Sequence, residues 1–411
     1  MDSRVARVRR AVAALLAAAL AFAALSGCIS TRRLGEGLVD EELDKGFYSA
    51  VDGTPQGNPG DLIRIADIPE APSGTRAWRI VYQSTDLAGK PIPVSGILIA
   101  PDFPAPAGGR TIVSWAHPTT GTAPGCATSR TVDPFLGIEG MYELLARGDA
   151  VVATDYQGMG LLGGTSSYLL GIPEGNAVLD AARAARHVEG AHAGDRVILW
   201  GHSQGGQAAL FAAERAGQYA PELDIAGVAV AAPAADLDAL MEADLAAVSG
   251  VTIAAYAYPA YLTAYSPRFG PSAIASILTP AGAAAVGPVN ELCLLTEQSA
   301  IHAITGPLVG GFATSDPATT EPWQTMLEEN SVSGDGIAVP VFVGQGLADQ
   351  LVRPEVTAAV VERLCAKGLA VESRTYRGVD HALAAYAALP DMLGWLDAIR
   401  GGAAPSDCAS G

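Results

Sequence analysis

Val197-Ile198-Leu199-Trp200-Gly201-His202-Ser203-Gln204-Gly205-Gly206 is the stretch around which the rest of the chain can be organised. Four apolar residues read as a buried strand. A helical stretch follows, Gly205 to Ala216. Between them lies G-x-S-x-G, a short pattern whose meaning depends on a strand before it and a helix after it. Gly201 and Gly205 fit a turn so sharp that a β-carbon at either position would meet backbone. The Ser203 hydroxyl then stands above a helix N-terminus. There the Gln204 N–H and the helix dipole favour developing negative charge.

Outward from this turn, short apolar runs alternate with helical stretches. The runs are Thr111–Trp115, Ala150–Thr154, Val197–Trp200, Ile225–Ala231, Val339–Val343 and Val371–Tyr376. The helical stretches include Glu174–Val188, Gly205–Ala216, Pro354–Ala366 and Leu389–Arg400. Trp78–Gln83 and Val94–Ile99 flank Asp86-Leu87-Ala88-Gly89 as a hairpin. Continuous apolar strands separated by helices predict an α/β protein with a mostly parallel sheet covered on both faces. Between Ala231 and Val339 no strand pattern recurs, and Ala-rich, Pro- and Gly-marked sequence predicts a mainly helical cap inserted after the sixth strand. The expected organisation is a targeting segment at 1–27, a tether and lead-in at 28–70, core at 71–234, cap at 235–330, core again at 331–400, and a tail at 401–411.

A serine hydroxyl at such a turn needs a base. Of the six histidines, His202 sits in the turn itself and is poorly placed to face the neighbouring hydroxyl. His187 and His192 fall at the far end of the preceding helix, and His302 falls in the insertion. His381 follows the last strand, and Asp349 follows the strand before it, so Ser203, Asp349 and His381 occur in the chain order of α/β-hydrolases. Asp349 lies on the functional edge of such a sheet. Asp380, adjacent to His381, is a weaker candidate because neighbouring side chains diverge. The loop His117-Pro118-Thr119-Thr120-Gly121 follows an early strand. It predicts a second oxyanion donor at the N–H of Thr119 or Thr120, beside that of Gln204.

The N-terminus carries Arg4, Arg7, Arg9 and Arg10, then an apolar run from Ala11 to Leu25, then Leu25-Ser26-Gly27-Cys28. This resembles a bacterial lipobox, with Cys28 as the lipidated residue and an exported lipoprotein as the product. The remaining cysteines, Cys126, Cys293, Cys365 and Cys408, predict two disulfides in an exported chain, with three pairings open. No C-x-x-C spacing occurs, so no metal site is expected. The chain has 25 Lys+Arg against 43 Asp+Glu and a net charge of −18, which excludes a phosphate-neutralising nucleic-acid binder. With 49% hydrophobic residues it also excludes a disordered chain.

Several motifs together resemble the secretory lipase family, the lipase-A-like branch of the α/β-hydrolases. His117-Pro118-Thr119-Thr120-Gly121 is similar to the family's H-G-T-T-G loop, with Cys126 shortly after. Asp155-Tyr156-Gln157-Gly158-Met159-Gly160 is similar to its D-Y-x-G-x-G turn. Glu174-Gly175 and Leu179 to Ala184 resemble its next helix, and Gly201 to Gly206 its nucleophile turn. The resemblance covers roughly residues 60–400 and implies acyl-ester hydrolysis with no metal or cofactor, a helical cap, and the pairings Cys126–Cys293 and Cys365–Cys408. Pro118 departs from the family's Gly and has no N–H to donate, which keeps the choice between Thr119 and Thr120 open.

The expected activity is therefore cleavage of carboxylic esters, with lipids such as triacylglycerols as substrates and a membrane reached through the Cys28 anchor. Three rivals stand beside it. These are an esterase for small polar esters, a peptidase or transacylase on the same scaffold, and a catalytically silent lipoprotein that binds hydrophobic ligands.

Overall fold

A computed structural model describes residues 46–408. The Leu25–Cys28 pattern, and Cys28 with it, lies outside the described residues. Residues 46–49 belong to an N-terminal unit and contain one helical turn; all that follows concerns the unit from Ala50 onward.

Nine strands form a single sheet: β1 (Leu62–Asp67), β2 (Thr75–Thr85), β3 (Pro91–Pro101), β4 (Arg110–Ala116), β5 (Ala150–Thr154), β6 (Ala193–His202), β7 (Asp224–Ala231), β8 (Val341–Gly346) and β9 (Val371–Tyr376). Their spatial order is β1-β2-β3-β5-β4-β6-β7-β8-β9. The pairs β1–β2, β2–β3 and β3–β5 are antiparallel, and every pair beyond β5 is parallel. This is the α/β-hydrolase architecture.

The central strands β4 to β7 are apolar through most of their length because both faces are buried there, whereas the edge strand β9 is half exposed. On β4, β5, β6 and β7, Val113, Trp115, Val151, Ala153, Ile198, Trp200 and Ala229 point into one core. The alternating residues Ile112, Ala150, Val152, Val197, Leu199, Val228 and Val230 point into the other. A period of two thus divides one apolar run between two cores. Each fully buried Val, Ile or Leu contributes about 1.5–3 kcal/mol. The second core is closed by α2 (Gly171–Arg186) and α3 (Gln204–Tyr219), whose inward positions are mostly alanine. Helix α1 (Met141–Ala146) packs on the first face.

Between β7 and β8 lie α4 (Leu237–Asp244), α5 (Val248–Phe269), α6 (Pro271–Ala275), α7 (Pro280–Asn290), α8 (Leu294–Thr305) and α9 (Trp323–Glu329). Their buried Tyr256, Tyr261, Val289, Ile301 and Trp323 belong to the same apolar cluster as Trp200 and Phe342 of the sheet. Helices α10 (Pro354–Ala366) and α11 (Ala384–Arg400) complete the chain.

Two expectations change. The lead-in at 28–70 contains β1, an edge strand. It pairs with β2 alone, is half exposed and bulges between Leu62 and Arg64, so it lacks the continuous apolar run that marks the central strands. With β1 counted, the insertion follows the seventh strand, not the sixth. Both disulfides, Cys126–Cys293 and Cys365–Cys408, are present in the pairing that the family resemblance implies. The first joins the segment after β4 to the start of α8. The second joins α10 to the tail, where Asp407 N–H also donates to Val371 at 2.8 Å.

Candidate active site

The turn after β6 is as tight as its glycines suggest. A β-carbon on Gly201 would lie 2.0 Å from the Gly205 carbonyl oxygen, and one on Gly205 would lie 1.9 Å from that of Ala116. Ser203 itself has φ 58° and ψ −118°, a backbone conformation that L-residues rarely adopt. The neighbouring strands hold it there: Ser203 N–H donates to Ala231 on β7 at 3.0 Å, and Ala234 N–H donates back to the Ser203 carbonyl at 3.0 Å. Ser203 Oγ lies 2.8 Å from His381 Nε2, and His381 Nδ1 lies 2.8 Å from Asp349 Oδ2. The other carboxylate oxygen, Oδ1, accepts the N–H groups of Leu351 and Val352, both at 2.9 Å. The Asp349 side chain is wholly buried.

Residues from three strand ends, separated by up to 178 positions in sequence, thus converge in one hydrogen-bonded line. Asp380 is not part of it. Its carboxylate accepts the Leu383 N–H at 3.2 Å, capping the short turn His381–Leu383.

The loop after β4 is anchored on several sides. Thr119 Oγ1 lies 2.7 Å from the Tyr168 hydroxyl, and the Thr120 carbonyl accepts the Leu294 N–H of α8 at 2.8 Å. Thr122 Oγ1 donates to Asn290 Oδ1 at 2.6 Å, beside the Cys126–Cys293 bridge. His117 is buried with Nδ1 2.6 Å from the Pro118 carbonyl, and burial lowers its pKa, so the ring is neutral.

Gln204, the first residue of α3, is held by a group that the residue pattern does not reveal. Its Nε2 donates to Glu174 Oε1 at 2.7 Å, and Leu169 N–H donates to the same oxygen at 3.1 Å. Burial pushes the Glu174 carboxyl well above the usual range, because the charged form loses its solvation there. Glu139 is a second partner that the residue pattern does not reveal. Its Oε2 accepts Trp115 Nε1–H at 2.8 Å and its carbonyl accepts Trp200 Nε1–H at 2.9 Å, while Oε1 meets His202 Nδ1 at 2.9 Å. Glu139 follows no motif, and only the fold reveals its place. Among the described residues, no group of three or more His, Cys, Asp or Glu side chains could hold a metal ion.

Chemically, a serine hydroxyl bonded to an imidazole whose far nitrogen faces a buried carboxylate can act as a nucleophile with its own base.

Known proteins give this geometry a family. Among curated proteins, the chain is 28% identical to the "Probable inactive lipase MT1628" of Mycobacterium tuberculosis, over 86% of this chain and 81% of that one. It is 26% identical to Lipase 10 of Candida albicans, over 86% and 80% of the two chains. In structure it resembles Candida antarctica lipase A, with a TM-score of 0.75 at 18% identity over 90% of this chain and 88% of that one. It also resembles the rice cell wall degrading esterase LipA of Xanthomonas oryzae, with a TM-score of 0.69 at 19% identity over 84% and 98%. At these identities, the structural likenesses speak for the fold. The family model described as "Secretory lipase" matches residues 130–407, a span that takes in Ser203, Asp349 and His381, and the chain belongs to that family of ester hydrolases.

Proposed function

We propose that this protein hydrolyses acyl esters through an acyl-enzyme, with Ser203 as nucleophile, His381 as base and Asp349 as the acid that orients it. The observation that carries the reading is the line Ser203 Oγ–His381 Nε2 at 2.8 Å and His381 Nδ1–Asp349 Oδ2 at 2.8 Å. His381 takes the Ser203 proton as the hydroxyl attacks the carbonyl, then returns it to the departing alcohol; water repeats the cycle on the acyl-enzyme. Gln204 N–H, with that of Thr119 or Thr120, receives the oxyanion.

The substrate we propose is a lipid ester, with residues 235–330 acting as the acyl-binding cap between core segments 71–234 and 331–400. An apolar cavity within the cap is lined by Leu169, Met241, Tyr258, Tyr261, Ile277 and Trp323, among others. Leu169, on one wall of the cavity, also bonds Glu174, the partner of Gln204. The cavity volume is about 30 Å³, too narrow for a long acyl chain unless the cap helices part. The protein would act at a membrane, tethered by acyl chains on Cys28.

The test is turnover of nitrophenyl esters of increasing chain length by the wild type, Ser203→Ala and Ala257→Phe. Ala257 lines the cavity. Ser203→Ala should lose all turnover above background. Ala257→Phe should lose at least tenfold more on long than on short chains. Equal loss on both would remove the acyl-cap role. A catalytically silent reading finds support in the relative named as an inactive lipase. A folded wild type that resists a fluorophosphonate probe at Ser203 would establish it.

A further inference from the structure

The residue beside the nucleophile, His202, makes two hydrogen bonds that together determine its protonation. Nε2 lies 3.0 Å from the backbone carbonyl oxygen of His381, and Nδ1 lies 2.9 Å from Glu139 Oε1. A carbonyl can only accept, so Nε2 carries a hydrogen. One further proton then lies between Nδ1 and Oε1, shared as imidazolium and carboxylate or as imidazole and carboxylic acid. Both side chains are about 4% exposed, and the two indoles of Trp115 and Trp200 hold Glu139 in place. The His381–Asp349 pair works the other way: Nδ1–H faces its carboxylate, and Nε2 is left bare toward Ser203.

We propose that His202, backed by Glu139, is a positioning residue that donates Nε2–H to the His381 carbonyl and so fixes the base relative to the nucleophile. His202 and Ser203 are consecutive at the end of β6, so one strand end carries the nucleophile and also grips the loop that carries its base. The two imidazole rings lie 5.1 Å apart, and the His381 carbonyl is otherwise held by the Ala384 N–H within the short turn His381–Leu383. Without the strut, no bond from β6 reaches the His381 backbone, and the loop keeps the Asp380 cap, the Asp349 contact, the Ala384 N–H and the Ala348 N–H bond to the Val379 carbonyl. A misplacement of about 1 Å at a reacting group costs on the order of 10²-fold in rate.

This inference rests on the proposed role of Ser203 and His381. Its test pairs spectroscopy on the wild-type chain with kinetics on four variants. In ¹⁵N-labelled protein, His202 Nε2 should carry the hydrogen that the His381 carbonyl accepts; a bare Nε2 overturns the proposal. On a short nitrophenyl ester, His202→Phe and Glu139→Leu should lose about 10- to 100-fold in kcat, with KM within about twofold. Glu139→Gln should recover kcat to within about threefold of wild type. Its amide donates to Nδ1 while its oxygen accepts from Trp115, so the Nε2–H survives without a charge. A folded His202→Phe with wild-type kcat, or a Glu139→Gln no better than Glu139→Leu, refutes the strut. Ser203→Ala run alongside separates the two ideas: if it keeps wild-type turnover, the hydrolytic mechanism fails, whereas the spectroscopic result on His202 stands or falls alone.

Discussion

Replacing Asp349 with Asn tests the proposed mechanism at its most specific point. Two backbone donors, Leu351 and Val352, both 2.9 Å from Oδ1, require an acceptor there. The amide oxygen of Asn must take that place, which leaves the NH₂ group where Oδ2 met His381 Nδ1 at 2.8 Å. An NH₂ donor facing Nδ1 selects the tautomer with hydrogen on Nε2. That nitrogen, 2.8 Å from Ser203 Oγ, can then no longer accept the serine proton. In the serine-protease template the same change costs about 10⁴ in turnover, or about 5.5 kcal/mol of transition-state stabilisation. Folding should survive, because the amide satisfies the same backbone groups. Asp380→Asn keeps an acceptor for the Leu383 N–H and should stay within about tenfold of wild type. The assay is kcat on a short nitrophenyl ester for both variants, with circular dichroism and a melting curve to show that each is folded. A folded Asp349→Asn within tenfold of wild type, or an Asp380→Asn worse than Asp349→Asn, would refute the assignment and the tautomer argument with it.

The other predictions concern stability and attachment. Glu174 has a folded pKa raised by burial, so its stability contribution is fully present below the unfolded value near 4.5 and is lost as pH rises toward the folded value. Denaturation midpoints should therefore show wild type falling behind Glu174→Gln as pH rises from 4 to 8; parallel curves would contradict a buried neutral carboxyl. Gly205→Ala places a β-carbon 1.9 Å from the Ala116 carbonyl oxygen and should cost about 3 kcal/mol or more, or prevent folding; an unchanged melting temperature would rule out this turn geometry. Removing Cys126–Cys293, which spans 167 positions, should cost up to about 5 kcal/mol by loop-closure entropy, read as a shift in the denaturant midpoint of the double Ser variant. Cys28→Ala should move the protein from the detergent phase to the soluble fraction with esterase activity retained, and equal partitioning would exclude lipidation at Cys28.

Local sequence alone determined a good deal. A strand, two glycines flanking a serine, and a helix specify the turn at 201–205, because a β-carbon at either glycine would meet the carbonyl of Gly205 or of Ala116. Apolar runs that must bury both faces identified the central parallel strands, with Ala150–Thr154 placed to the residue, while alternation with helices placed the edge strand Val371–Tyr376. Chain order picked out Asp349 and His381, because in such a sheet consecutive strand ends face the same edge. The edge strand β1 escaped notice because it is half exposed, bulges between Leu62 and Arg64 and follows Gly57, Pro59 and Gly60, whereas the other edge strand, β9, is marked by its place after helix α10. Tertiary structure decided which partner each polar group meets. Glu139 and His202 lie 63 positions apart, and Glu174 and Gln204 lie 30 apart. Neither pair has a spacing that means anything along the chain. Each is fixed by where a loop crosses the sheet, and burial obliges these polar groups to find partners because an unpaired polar group away from bulk solvent is costly.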